Sequence, residues 1–241
     1  MSSKKGELGY ETKLKLKCKD FLKKSLMSVN EKMNSLDSFV LFDKNLEEKI
    51  ELISTTLKNY VFLLNKLFPK DQNFIEVISH NDIHPANILL HQSENYKFTK
   101  SFNSFKLIDY EFANFNYLGF DIVNYLVETF FNLYYKDYPF YKITKDPMEI
   151  FTNSFYYKVY CRFIDFLFIY KGSFLGDITK EELLDKKYFS KLVALSSLFW
   201  FLIANVQLKF DTWKEKKSFD YLLYGVDRLQ FYLIAKEKFN L

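Results

Sequence analysis

The stretch from His80 to Asp109 constrains this chain more than any other. An acid, Asp82, stands two residues after His80, and an amide, Asn87, follows five residues later. His-x-Asp-x4-Asn is the spacing of a kinase catalytic loop, in which the Asp receives the substrate's hydroxyl proton and the Asn holds magnesium. Asn87 opens an apolar run, Ile88 to His91. A polar stretch, Gln92 to Ser104, separates it from a second run, Phe105 to Ile108. Two such runs predict an antiparallel hairpin, with Asn87 at the start of one strand and Asp109 at the end of the other. Both then emerge at the same open end. Two oxygen donors for a hard divalent cation would lie beside a carboxylate suited to orient an alcohol. Each piece alone has a plainer origin, because an Asp-to-Asn spacing of five is common in capped turns. A lone histidine, likewise, is more often hydrogen-bonded than reactive. It is the ordered set that points to chemistry, with Asp82 and His80 as the catalytic pair and Asn87 and Asp109 on the metal. His84 and His91 carry no assigned role.

The surrounding chain predicts a mostly helical α+β protein. Asn45 with Glu48 forms a capping-box pattern opening a helix over 45–68, and Leu46, Ile50, Ile53, Leu57, Val61, Leu64 and Phe68 mark its apolar face. Pro69 ends it. A short strand, Phe74 to Ile78, leads into the catalytic loop. A helix through Asp121 turns Phe120, Val123, Val127 and Phe130 inward, and places Asp121, Asn124 and Glu128 on one shared face. Asp146-Pro147-Met148-Glu149 opens a helix ending near Gly172. Thr179 with Glu182 opens a long helical region through Val206. Leu192 to Leu208 is uncharged but short for a bilayer, which favours a buried helix. A last helix spans about Phe219 to Lys236.

Composition excludes little and agrees with this. With 241 residues and 49% apolar content, a substantial core is available. A net charge of +4 is too mild to argue for nucleic acid. Cys18 and Cys161 lie far apart without metal spacing, which suits a reducing compartment and makes the cytoplasm the expected location. Residues 1–40 form a Lys-rich, helical N-terminal segment, read first as a solvated face. Weak contact with an anionic membrane surface is the second reading.

At these residues a resemblance enters. His80-Asn81-Asp82-Ile83-His84-Pro85-Ala86-Asn87 resembles the loop of aminoglycoside phosphotransferase-like small-molecule kinases. Ile108-Asp109-Tyr110-Glu111 through Gly119-Phe120-Asp121-Ile122-Val123-Asn124, with Glu128 beyond, is similar to the choline/ethanolamine kinase family. The clear match runs from about Ile78 to Tyr135, with a looser one from Leu192 onward. The resemblance implies that residues 41–241 form the helical C-lobe of a protein-kinase-like fold, carrying a small catalytic β-hairpin. The family's N-terminal nucleotide lobe is expected to be absent, because the 79 residues before His80 look helical. The glycines of Lys5-Gly6-Glu7-Leu8-Gly9 also lack phosphate-loop spacing. By the same resemblance Asp121 braces the catalytic loop and Glu111 reaches a second ion through water. Glu128, Trp200, Tyr221 and Tyr134 surround the acceptor, although Ile203 and Leu133 stand where the family has aromatics.

The function so implied is transfer of the γ-phosphoryl of ATP, with Mg2+, to the hydroxyl of ethanolamine or choline, feeding phospholipid synthesis. A thinner cage forfeits ~0.5–2 kcal/mol of cation–π attraction per ring, which leans toward ethanolamine. The alternative is a lobe that binds an amino alcohol or a partner without turnover. A homodimer is left open as its assembly.

Overall fold

The computed structural model describes residues 44–69, 72, 74–90, 105–171, 178–208 and 218–241. The Lys-rich segment 1–40, the Lys5–Gly9 stretch, His91 and the polar stretch Gln92–Ser104 lie outside these residues. In chain order the elements are α1 (Lys44–Leu67), β1 (Glu76–Ser79), a 3-10 turn (Pro85–Asn87), β2 (Ile88–Leu90), β3 (Phe105–Leu107) and β4 (Asn114–Tyr117). Next come α2 (Phe120–Glu128), β5 (Phe131–Asn132), β6 (Lys142–Ile143), α3 (Glu149–Thr152) and α4 (Ser154–Lys171). The series closes with α5 (Lys180–Leu183), α6 (Lys186–Gln207) and α7 (Tyr221–Phe239). Among the described residues helices dominate, and the strands pair only as short antiparallel ladders: β1 with β4, β2 with β3, β5 with β6.

The apolar stretch around Leu192 becomes α6, the helix that the others pack against. By length and composition it could cross a bilayer, yet 72% of its apolar window is buried inside the protein. Leu192, Val193, Leu198, Phe201 and Leu202 meet Phe120, Val123 and Val127 from α2 and Leu229, Phe231 and Ala235 from α7 in one core. The two long helices lie close at Gly225 on α7, where an added Cβ would sit in ordinary contact, 3.4 Å from the Ala204 Cβ. Asp220 caps α7, its Oδ1 accepting from the Leu223 N–H at 2.9 Å.

Several boundaries differ from those the sequence predicts, each for a local reason. The helix expected from Asp146 to Gly172 is broken at Asn153, whose backbone is extended. The Asn153 Oδ1 accepts from the Phe155 N–H at 3.0 Å and starts α4 afresh. The Thr179–Glu182 capping box is present, but it opens only the single turn of α5. Asp185 then caps α6 separately by accepting from the Lys187 N–H. On α1 the buried stripe is Ile53, Leu57, Tyr60 and Leu67, whereas Val61, expected inward, is 42% exposed. The β1–β4 and β5–β6 pairings have no counterpart in the sequence reading.

Candidate functional site

Two ladders build one end of the site. Residues of β1 and β4 pair from Glu76 with Tyr117 to Ser79 with Asn114. This sets the loop that follows β1 against the turn that precedes β4. In the second ladder Ile88 faces Leu107, and the Ile108 N–H donates to the Asn87 carbonyl at 3.1 Å. Asn87 is thus opposite Ile108, and Asp109 is the next residue along. The predicted convergence of Asn87 and Asp109 at the open end of a hairpin is what the backbone shows.

Asp121, in the first turn of α2, anchors the loop. Its two carboxylate oxygens accept from the His80 and Asn81 N–H groups, both at 2.8 Å. Burial pushes its pKa up, and the two backbone donors work in the opposite direction. His80 is buried, with both ring nitrogens occupied by backbone. Nδ1 accepts from the Asp82 N–H at 3.3 Å, so Nε2 carries the proton and donates to the Ile108 carbonyl at 2.9 Å. His80 therefore positions the loop, and the catalytic part assigned to it from spacing is corrected to a structural one. Asn81 adopts a left-handed backbone, φ 67°, which Asn tolerates better than bulkier residues. Its side chain donates to the Phe112 carbonyl at 2.9 Å and accepts from Asn116 Nδ2 at 2.9 Å. That lacing was not foreseen, although the asparagines at 81 and 116 in a chain predicted to fold around Asp82 would have been the signal.

Asp82 is the centre. Asn87 Nδ2 donates to both its carbonyl and its Oδ2 at 3.0 Å, while His84 Nε2 stands 3.8 Å from Oδ2. Its buried Oδ1 has no hydrogen-bond partner among the described residues. Burial raises the Asp82 pKa to about 7, Glu128, Asp109 and Glu111 add to this through their charges, and the Asn87 hydrogen bond opposes it. Four carboxylates thus share one field, an arrangement that favours a cation.

Among the described residues no three His, Cys, Asp or Glu side chains form a ready-made metal cluster. Magnesium does not require one, since it is commonly held through one or two carboxylates, phosphate oxygens and water. With its NH2 turned to Asp82, Asn87 has its amide oxygen left, among the described residues, for a cation. Asp109 is exposed at the hairpin's open end, with Glu111 exposed two residues on. These residues fit such an ion.

The residues expected from the sequence to surround an acceptor are organised around α2. Asn124 Oδ1 accepts from Trp200 Nε1 and from Ser196 Oγ, both at 2.8 Å, which fixes the indole on α6. Glu128 is buried in an ion pair with Arg228 of α7. The guanidinium also donates from Nε to the Tyr224 hydroxyl at 2.9 Å. Its Cζ lies 4.2 Å from the Phe131 ring centroid, 5.0 Å from Tyr224 and 5.7 Å from Trp200. Burial opposes the charge on Arg228, but Glu128 and Tyr224 outweigh it, so its pKa stays above the usual range.

Of the four predicted acceptor residues, the structure therefore brings together Glu128 and Trp200. Tyr134 is 74% exposed on a surface turn, held by its N–H to Asn132 Oδ1. Tyr221 packs on Phe219 at 4.7 Å. The tyrosine in contact with Arg228, and through it with Glu128, is Tyr224, one helical turn further on. Arg228 was missed too. It is one of only two arginines in a chain that otherwise uses lysine, and Arg is the residue suited to buried ion pairs.

Comparison with known proteins identifies a family for the chain as a whole. Residues 9–233 match the family profile described as choline/ethanolamine kinase. A mouse choline/ethanolamine kinase is 30% identical over 192 residues, 75% of this chain and 43% of that protein. The rat protein of the same description is 30% identical over 170 residues, 66% of this chain and 38% of its own length. The chain thus spans about two fifths of the length of the curated relatives it matches. A crystal structure of a choline kinase from Cryptosporidium parvum superposes with TM-score 0.53 at 18% identity, covering 90% of this chain and 56% of that one. It shares the fold.

Proposed function

Because the chain belongs to the choline/ethanolamine kinase family, we propose that it moves the γ-phosphoryl of ATP to the hydroxyl of ethanolamine or choline, feeding phospholipid synthesis. The observation that carries this reading is the Asp82–Asn87–Asp109 arrangement. Asn87 is hydrogen-bonded to Asp82 through its side chain and to Ile108, the neighbour of Asp109, through its backbone. Asp82, raised toward neutral pH, orients the alcohol and takes its proton as the oxygen–phosphorus bond forms and the bond to ADP breaks. Asn87 and Asp109 would hold magnesium, with Glu111 reaching a second ion through water. Bound magnesium neutralises charge developing on the phosphate oxygens. His80, Asn81 and Asp121 keep the loop in place, which matters because such transfer is mostly positioning and charge stabilisation.

A coupled ADP-release assay with each alcohol tests this, with Asp82→Ala as control. The expected loss in the variant is about 10²–10⁴-fold, the usual worth of a positioned proton acceptor. Equal rates in both proteins would sink the reading. Amino-alcohol binding by calorimetry without ADP release would instead favour a binding lobe without turnover.

A further inference from the structure

Four elements converge on the guanidinium of Arg228: Glu128 from the end of α2, Phe131 from β5, Trp200 from α6 and Tyr224 from α7. The side chain is fully buried. An acid ringed by aromatic faces is the composition that recognises an organic cation, and here the chain itself supplies one. The cluster borders the reacting end: Trp200 donates to Asn124 at 2.8 Å, and Asn124 Nδ2 donates to the carbonyl of Ile83, the neighbour of Asp82, at 3.5 Å. The Glu128 charge bears on Asp82, and that of Asp82 bears on Tyr224. Stability alone does not account for the pair, since a buried ion pair is commonly matched or surpassed by apolar side chains of equal volume. What it adds is orientation. Through Nε and Nη2 one rigid fork engages a carboxylate and a phenol at once, which a lysine ammonium cannot reproduce.

We propose that Arg228 is a positioning residue for the acceptor: it aims Glu128 and Tyr224, beside Trp200, at the ammonium of the bound amino alcohol and so sets affinity for it. This rests on the amino-alcohol reading of the site given above. Among the described residues Arg228 is engaged by Glu128, Tyr224, Phe131 and Trp200 and not by Asn87, Asp109 or Glu111, so its effect belongs to acceptor binding and leaves ATP binding aside.

The test compares wild type, Arg228→Lys and Tyr224→Phe, each shown folded by thermal unfolding. Binding of ethanolamine and of choline is measured by calorimetry without ATP, and KM for alcohol and for ATP where turnover is present. Arg228→Lys keeps the charge and loses the fork. It is expected to weaken alcohol binding about tenfold, in keeping with the cost of misplaced contacts, with KM for ATP unchanged within about twofold. Tyr224→Phe removes only the hydroxyl that accepts from the guanidinium and should weaken binding severalfold, which keeps the test decisive if the lysine variant fails to fold. Wild-type binding that both variants retain, or a parallel rise in both KM values, overturns the inference and leaves the proposed function standing. Absence of binding and turnover in the wild type overturns the proposed function, and this inference with it.

Discussion

Replacing Arg228 by Met should destabilise the protein far more than replacing both members of its ion pair. Side-chain exposure is 0% for Arg228 and 4% for Glu128, so removing one partner strands a charge that water cannot reach. Breaking a buried pair in this way costs about 3–5 kcal/mol. Arg228→Met also takes away a donor to the Tyr224 hydroxyl, which places it toward the upper end. Glu128→Met should cost a similar amount, for the opposite charge. If the two losses were independent they would sum to roughly 6–10 kcal/mol, comparable to the whole stability of an ordinary domain. The double variant, with two apolar side chains of matching length facing each other, should lie within about 2 kcal/mol of the parent, because no charge is left buried. Urea unfolding of the four proteins at one pH, compared at equal m-value, measures the cycle. Single variants each costing under about 1 kcal/mol, or a double variant losing the sum, would refute the description of a closed, mutually dependent pair.

Other outcomes follow from particular contacts. Gly119→Ala should cost about 2–4 kcal/mol by urea unfolding: the site has φ 91°, and an added Cβ would meet Tyr160 Cε2 at 3.0 Å and Leu192 Cδ1 at 3.2 Å. Asn124→Ala should cost about 2–4 kcal/mol by leaving the Trp200 indole N–H and Ser196 hydroxyl without their acceptor. A shift in tryptophan emission should accompany it. In metal-free protein the folded Asp82 pKa is raised from 3.8 to about 7, so between those values the native state holds a proton that the unfolded state has released. Stability therefore falls as pH rises through that window. Unfolding at pH 5 and pH 8 should show the decline in the wild type and a smaller one in Asp82→Asn, and identical slopes would contradict the assignment.

Much of the catalytic end was legible because its geometry is local. Asn87, Ile88, Leu107 and Asp109 belong to one hairpin, and a hairpin's register follows from alternation and the pairing of adjacent runs. The inward set Phe120, Val123 and Val127 was legible for the same reason, since helical periodicity alone decides it. The helix break at Asn153 was not, because an asparagine that restarts a helix looks in sequence like any polar residue within one. His80 shows the limit of a motif. Its spacing suggested a reactive group, and only the positions of the Asp82 amide and the Ile108 carbonyl reveal that both its nitrogens are already taken.

The sequence by itself determined the loop, the hairpin and the placement of Asn87 and Asp109 at its open end beside Asp82, since these lie within a span where chain connectivity leaves few arrangements. Only the tertiary structure decided which tyrosine meets Arg228 and what neutralises Glu128. Glu128 and Arg228 are separated by 100 residues. Their meeting depends on how α6 and α7 pack on α2, and that packing is settled by the fit of the whole core.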